Sequence, residues 1–148
     1  MLTIRPARAG DAPALADLAH DAYAHYVPRM GREPAPMRAD YAALIQDGGV
    51  WVAEHDGVPA GMLVLVIEAD HVLLSNVAVS SAAQGSGIGS ELLAFTERQA
   101  REHDRSELRL YTNEAMTENI GYYSRRGYVE TGRATEDGYR RVYFTKYL

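Results

Sequence analysis

Apolar residues fall into short runs divided by polar clusters, and the spacing inside the runs changes along the chain. Leu15, Leu18, Ala22 and Tyr26 recur at helical spacing, with Asp11 placed to cap and Pro13 in the first turn, which predicts a helix over roughly 11–26. Val27 to Met37 carries three prolines and a glycine, so a loop is predicted there, leading into a short helix that ends near Gln46. Val50–Glu54 and Val58–Ile67 are apolar runs joined by His55-Asp56-Gly57, and Asp-Gly between such runs predicts a hairpin. Past Asp70 and His71, the branched residues of Val72–Val79 predict the next strand of a meander. Beyond a cluster of glycines, Leu92, Leu93, Thr96 and Ala100 suit a helix from Ser90 to about His103, and Leu108–Tyr111 returns as a strand. A helix around Asn119–Arg125 stops at Gly127. Strands near Tyr128–Arg133 and Tyr139–Tyr147 then flank Glu136-Asp137-Gly138, a second hairpin signal. This order predicts a mixed sheet and an α/β or α+β class.

Bulk properties narrow the picture. At 148 residues and 47% hydrophobic content, one domain over 1–148 with one ordinary core is the expectation. The longest apolar stretch, Gly61–Ile67, is too short to cross a bilayer and reads as a strand covered on both faces. A soluble protein without a membrane partner is predicted. Met1-Leu2-Thr3-Ile4-Arg5 has none of the features of a secretory signal, which predicts a cytoplasmic location. The chain has no cysteine, so thiolate metal sites and a cysteine nucleophile are excluded. His20, His25, His55 and His103 show no ligand spacing with a carboxylate, and no metal is predicted. A net charge of −5 without a long basic run argues against nucleic-acid binding.

The chemistry centres on Gln84-Gly85-Ser86-Gly87-Ile88-Gly89-Ser90, between a predicted strand and a predicted helix. Free N–H groups and the positive end of the dipole attract anions there, and glycine lets a phosphate approach the backbone. A nucleotide-triphosphate loop would need Gly-Lys-Ser/Thr, whereas Gly89-Ser90 is followed by Glu91. A dinucleotide fingerprint would need Gly or Ala where Ser90 stands, and its strand would belong to a βαβ unit rather than a meander.

The spacing Gln84-x-x-Gly87-x-Gly89 after Asn76-Val77-Ala78-Val79 resembles the acyl-CoA signature of the GNAT superfamily of N-acetyltransferases. Asn119-Ile120-Gly121-Tyr122-Tyr123-Ser124-Arg125-Arg126-Gly127-Tyr128 looks like that family's second signature, in the right order along the chain. The resemblance implies a single-domain, mixed but mostly antiparallel sheet of about six to seven strands flanked by about four helices. It implies acetyl-CoA as co-substrate, with the backbone of Val77, Ala78 and Val79 pairing with the pantetheine arm and Gln84 to Ser90 holding the pyrophosphate. Asn119 would hydrogen-bond the pantetheine, although the usual family asparagine lies three positions earlier, where this chain has Met116. Strands around Val77 and Leu110 would splay to admit the cofactor.

Acyl transfer to an amine needs a neutral nucleophile, a polarised thioester carbonyl and a proton for the departing thiolate. The resemblance puts the acid at Tyr123, and the alternative is that this ring only packs, which is the reading for Tyr122. A backbone N–H of Val77 or Val79 would polarise the carbonyl. Family members that use a carboxylate base in the fourth strand have it about where this chain has Leu73, so Glu68, near Asp70 and His71, or relayed water is left to take the amine proton. Tyr23, Met30 and Met37 flank the proline-rich loop and would line an acceptor pocket, whereas Tyr26 reads as core.

The activity implied is transfer of an acetyl group from acetyl-CoA to a primary amine of a small molecule or peptide. A catalytically degenerate acyl-CoA sensor is the competing reading, and Tyr123 argues against it. The strand through Tyr139-Arg140-Arg141-Val142-Tyr143-Phe144 either offers an edge for self-pairing, giving a homodimer, or lies inside the sheet.

Overall fold

A computed structural model of residues 1–148 contains β1 (Leu2–Pro6), α1 (Ala12–Tyr23), α2 (Val27–Met30), α3 (Ala35–Arg38), α4 (Tyr41–Asp47), β2 (Val50–His55), β3 (Val58–Ile67), β4 (Val72–Val79), α5 (Ile88–Glu102), β5 (Glu107–Asn113), α6 (Thr117–Arg125), β6 (Val129–Glu136) and β7 (Tyr139–Tyr147). The strands form one sheet in the order β1-β2-β3-β4-β5-β7-β6. Every neighbouring pair is antiparallel except β4–β5. The mixed, mostly antiparallel α/β architecture matches the sequence reading.

Both faces of the central strands are covered. Met62 and Val64 of β3 face α1 and α4, joining Leu15, Leu18, Val50 and Val52, while Leu63 and Leu65 face the opposite layer with Leu92, Leu108, Tyr123 and Phe144. Strand alternation thus explains why Gly61–Ile67 is apolar at nearly every position, and each such fully buried side chain contributes roughly 1.5–3 kcal/mol. In α5 the predicted stripe Leu92, Leu93, Thr96 and Ala100 is buried, and the Thr96 hydroxyl donates to the Leu92 carbonyl at 2.9 Å. Asp56 and Gly57, and likewise Asp137 and Gly138, both adopt positive φ, the geometry that a two-residue type I′ hairpin demands.

Three expectations are corrected. The Val27–Met37 stretch is not a plain loop, because Pro28 and Pro36 sit in the first turns of α2 and α3, where a missing N–H costs nothing. Asp11 does not cap α1, since its carboxylate accepts from Arg5 at 2.8 and 2.9 Å and from the Arg8 N–H at 2.6 Å. β7 has no free edge, because β5 and β6 flank it on both sides, so the predicted self-pairing has nothing to pair with.

The feature that positions the site is an opening in the sheet. β4 pairs with β5 only through Val72, Leu74 and the residue between them, opposite Leu108 to Leu110. On its other side β4 bulges: Val64 pairs with Asn76 and Leu65 with Leu74, leaving Ser75 unmatched. A bulge bends its strand and sharpens its twist, so β4 swings away from β5 just beyond Leu74.

Candidate active site

Beyond the bulge, alternation sorts the β4 backbone. Ser80 donates its N–H to Ala60 of β3 at 2.8 Å, so Ala78 and Asn76 face β3 while Val77 and Val79 face the gap toward β5. Two side chains reach that gap-facing edge: the Tyr23 hydroxyl lies 2.8 Å from the Val77 carbonyl, and the Gln84 amide donates to the Val79 carbonyl at 3.3 Å. The same Tyr23 hydroxyl is 2.8 Å from Asn76 Oδ1, so one proton serves two acceptors, and the Asn76 amide donates to the Tyr41 hydroxyl at 3.3 Å.

The glycine turn opens α5 as predicted. Gly85 has φ +84° and Gly87 +91°, conformations that side chains rarely adopt, and an added Cβ at either would meet open space. The amides of Gly85, Gly87, Ile88, Gly89 and Ser90 have no hydrogen-bond partner in the protein, so five donors gather at the N-terminus of a 15-residue helix. Arg126 adds a full charge beside them, its guanidinium donating to Ser90 Oγ at 2.9 Å and lying 3.7 Å from the Tyr122 ring centroid. Unpaired amides, a helix dipole and an arginine fit the pyrophosphate of CoA. A cavity of about 750 Å³ fronts the turn, lined by Val77–Val79, Gln84, Gly85, Gly87–Ser90 and Asn119. Of the predicted cofactor residues only Ser86 is absent from its wall, its hydroxyl turned back to the Ala83 carbonyl.

A second cavity, of about 250 Å³, runs from the splay under α2 and α3. The two cavities share Tyr23, Val77, Asn119 and Tyr123. Tyr123 is therefore where both spaces meet. Its ring packs against Tyr128 and Phe144 at 5.6 and 6.1 Å between centroids. Burial first, and the neighbouring tyrosines second, push its phenol well above the ordinary range, so it stays protonated at any pH where an amine acceptor reacts. Asn119 donates to Thr112 Oγ1 at 3.4 Å and to Met116 Sδ at 3.5 Å, so the methionine at the family's asparagine position supports Asn119 from below.

The other predicted residues divide. Tyr23 and Met30 line the smaller cavity, whereas Met37 does not. Glu68 is exposed at the β3–β4 turn, where its carbonyl accepts from Arg105 at 2.7 Å, and it lines neither cavity. Tyr26 is buried as core, its hydroxyl 3.1 Å from Glu118 and its pKa raised to about 12, mainly by burial. Sequence reasoning did not single out three polar residues of the cavity walls: Asn76, Arg126, although it lies inside the second signature, and Arg141, which no motif marks.

The sequence model of the Acetyltransferase (GNAT) family matches residues 13–128. No curated relative matches the chain. Solved structures share the fold: a PaiA N-acetyltransferase from Thermoplasma acidophilum in complex with coenzyme A has a TM-score of 0.82 at 16% identity, covering 100% of this chain and 99% of its own. A GNAT family acetyltransferase from Elizabethkingia anophelis with acetyl-CoA bound has a TM-score of 0.75 at 21% identity, over 99% and 98%. The ribosomal-protein-S18-alanine N-acetyltransferase of Escherichia coli has a TM-score of 0.78 at 19% identity, over 99% and 94%. With a glycine turn, a splayed β4–β5 pair and a family match over most of its length, this chain belongs to the GNAT acetyltransferase family.

Proposed function

We propose that the protein is an acetyl-CoA-dependent N-acetyltransferase that moves the acetyl group to a primary amine by direct attack. The observation that carries this is the meeting of two cavities at Tyr123: one is walled by unpaired backbone amides and Arg126, the other by apolar and neutral polar side chains with Arg141 as its one charge. Acetyl-CoA supplies the thioester. The turn from Gln84 to Ser90 and Arg126 bind its pyrophosphate, and the gap-facing edge of Val77 and Val79 aligns its pantetheine arm.

The amine nitrogen forms its new bond to the acyl carbon as the carbon–sulfur bond breaks. The Val77 N–H donates to the oxygen where charge develops, Tyr123 Oη gives its proton to the leaving sulfur, and water carries the proton lost by the amine back toward the phenolate. Glu68 lines neither cavity, so relayed water is our assignment for the base. The protonated Tyr123 at the junction favours turnover over an acyl-CoA sensor that binds without reacting.

Thiol release from acetyl-CoA, followed across a panel of primary amines, tests the reading. Amine-dependent release with an N-acetylated product is expected. Tight acetyl-CoA binding with no amine-dependent release from any acceptor class would leave the sensor.

A further inference from the structure

The smaller cavity has an unusual charge pattern for an enzyme whose acceptor is an amine. Twenty-one residues line it, thirteen of them hydrophobic, and no Asp, Glu, His or Lys is among them. The one charged side chain in the wall is Arg141, which is 13% exposed. A cationic acceptor such as a polyamine or a lysine-rich peptide needs carboxylates to receive its second charge, and this wall offers the opposite sign.

Arg141 is also held in place. β7 pairs it with Asn113 of β5, its guanidinium lies 4.2 Å from the Tyr111 ring centroid and 6.0 Å from that of Tyr139, and Tyr139 donates to the Glu33 carbonyl at 2.8 Å. Glu136 at 3.4 Å and Asp137 at 4.0 Å approach it from the hairpin tip. Their side chains are 51% and 85% exposed, and ion pairs in so much water are weak. Arg141 already donates to Glu136 and also lines a neighbouring cavity with Glu107 and Glu136, so a carboxylate in the mostly apolar cavity would have to displace Glu136, and a bidentate pair in that drier setting is the stronger of the two.

We infer that the acceptor is an amine that also carries a carboxylate, an amino-acid-like molecule with an apolar body, whose carboxylate docks on Arg141 while its amine points to Tyr123. The inference rests on the N-acetyltransferase reading above. The cavity volume of about 250 Å³, below the roughly 300 Å³ at which pockets for drug-sized ligands start, suits an acceptor whose enclosed part is about the size of a single residue. Apolar walls from Met30, Pro34, Leu44 and Leu110 select an apolar body. Arg141 is on this account a specificity residue that touches the substrate.

The test compares matched pairs: L-leucine with L-leucinamide and L-phenylalanine with L-phenylalaninamide as acceptors, each with saturating acetyl-CoA. The free acids are expected to exceed the amides by at least ~10-fold in kcat/KM, the scale of a charge-assisted pair. Arg141→Gln should erase that ratio and Arg141→Lys should keep part of it, a pattern that a purely structural arginine does not give. Calorimetry of N-acetyl-L-leucine and its amide on the CoA-loaded protein gives the same comparison without turnover. Acetylation of amides as fast as acids, or a ratio unchanged in Arg141→Gln, overturns the inference and leaves the N-acetyltransferase reading standing. Arg141-dependent binding of the acid with no acetylation of any amine supports the anchor and overturns that reading instead. If neither acid nor amide binds, the inference falls.

Discussion

The Tyr23 hydroxyl lies 2.8 Å from the Val77 carbonyl, joining the end of α1 to the edge of β4 that borders both cavities. Tyr23 is partly buried, and the loss of solvent around its hydroxyl raises its phenol well above the ordinary range, so it acts as a neutral donor. This contact, with its twin to Asn76, fixes where the gap-facing edge of β4 stands relative to the helix above it.

Tyr23→Phe removes that donor and leaves the Val77 carbonyl and Asn76 Oδ1 each one partner short. Stability should fall by about 1–2 kcal/mol, lowering Tm by several degrees. Thermal unfolding of the variant checks this, and an unchanged Tm would show that water replaces the hydroxyl without cost.

Gly87→Glu should abolish CoA binding. At φ +91° a side chain strains the turn, and although an added Cβ meets no protein atom, a carboxylate would stand where the phosphates bind. Arg126→Gln should act more mildly, weakening CoA by about 3- to 10-fold with an effect that shrinks as salt rises. Calorimetry with CoA at two ionic strengths measures both, and full affinity in Gly87→Glu would remove the turn from the site.

Tyr123→Phe should lower kcat by at least ~10-fold with the acetyl-CoA Kd unchanged, since the ring still packs against Tyr128 and Phe144 while the proton donor is lost. The raised phenol pKa adds a sign: the acid stays protonated, so kcat/KM should climb as the amine loses its proton, with no fall from loss of the acid below about pH 10. Equal kcat in the variant and the parent would leave proximity as the main catalytic effect.

Acid stability should depend on Asp11. Its hydrogen bonds from Arg5, and then from the Arg8 N–H, lower its pKa from 3.8 to about 2. A depressed carboxylate stabilises the fold above its unfolded pKa, and that contribution is lost as pH falls through the folded value, so the loss belongs between about pH 4 and pH 2. Asp11→Asn should cost about 1–2 kcal/mol at pH 7 and flatten Tm against pH in that window. Thermal melts at pH 7, 4 and 2.5 compare the two proteins, and an equal fall in Tm for both would remove Asp11 as the cause.

The amino-acid sequence by itself determined the elements whose causes are local. Asp56-Gly57 and Asp137-Gly138 require positive φ and formed the hairpins, the α5 stripe follows the helical period, and the glycine turn needs only its own backbone freedom. The prolines misled because the same residue that breaks a helix interior is welcome in a first turn, and only packing decides whether a turn that short persists. Asp11 looked like a cap because its competitor, Arg5, lies on another element. Tyr23 and Met30 of the acceptor side were legible in the sequence, and the tertiary structure decided the rest of it. The unmatched Ser75 that opens the sheet, the Tyr23 bond to Val77 and the placing of Arg141 in a cavity without carboxylates all join residues far apart in the chain. Side-chain spacing within one segment carries no record of such partners, because they are set by the register between strands and by the helices laid across them.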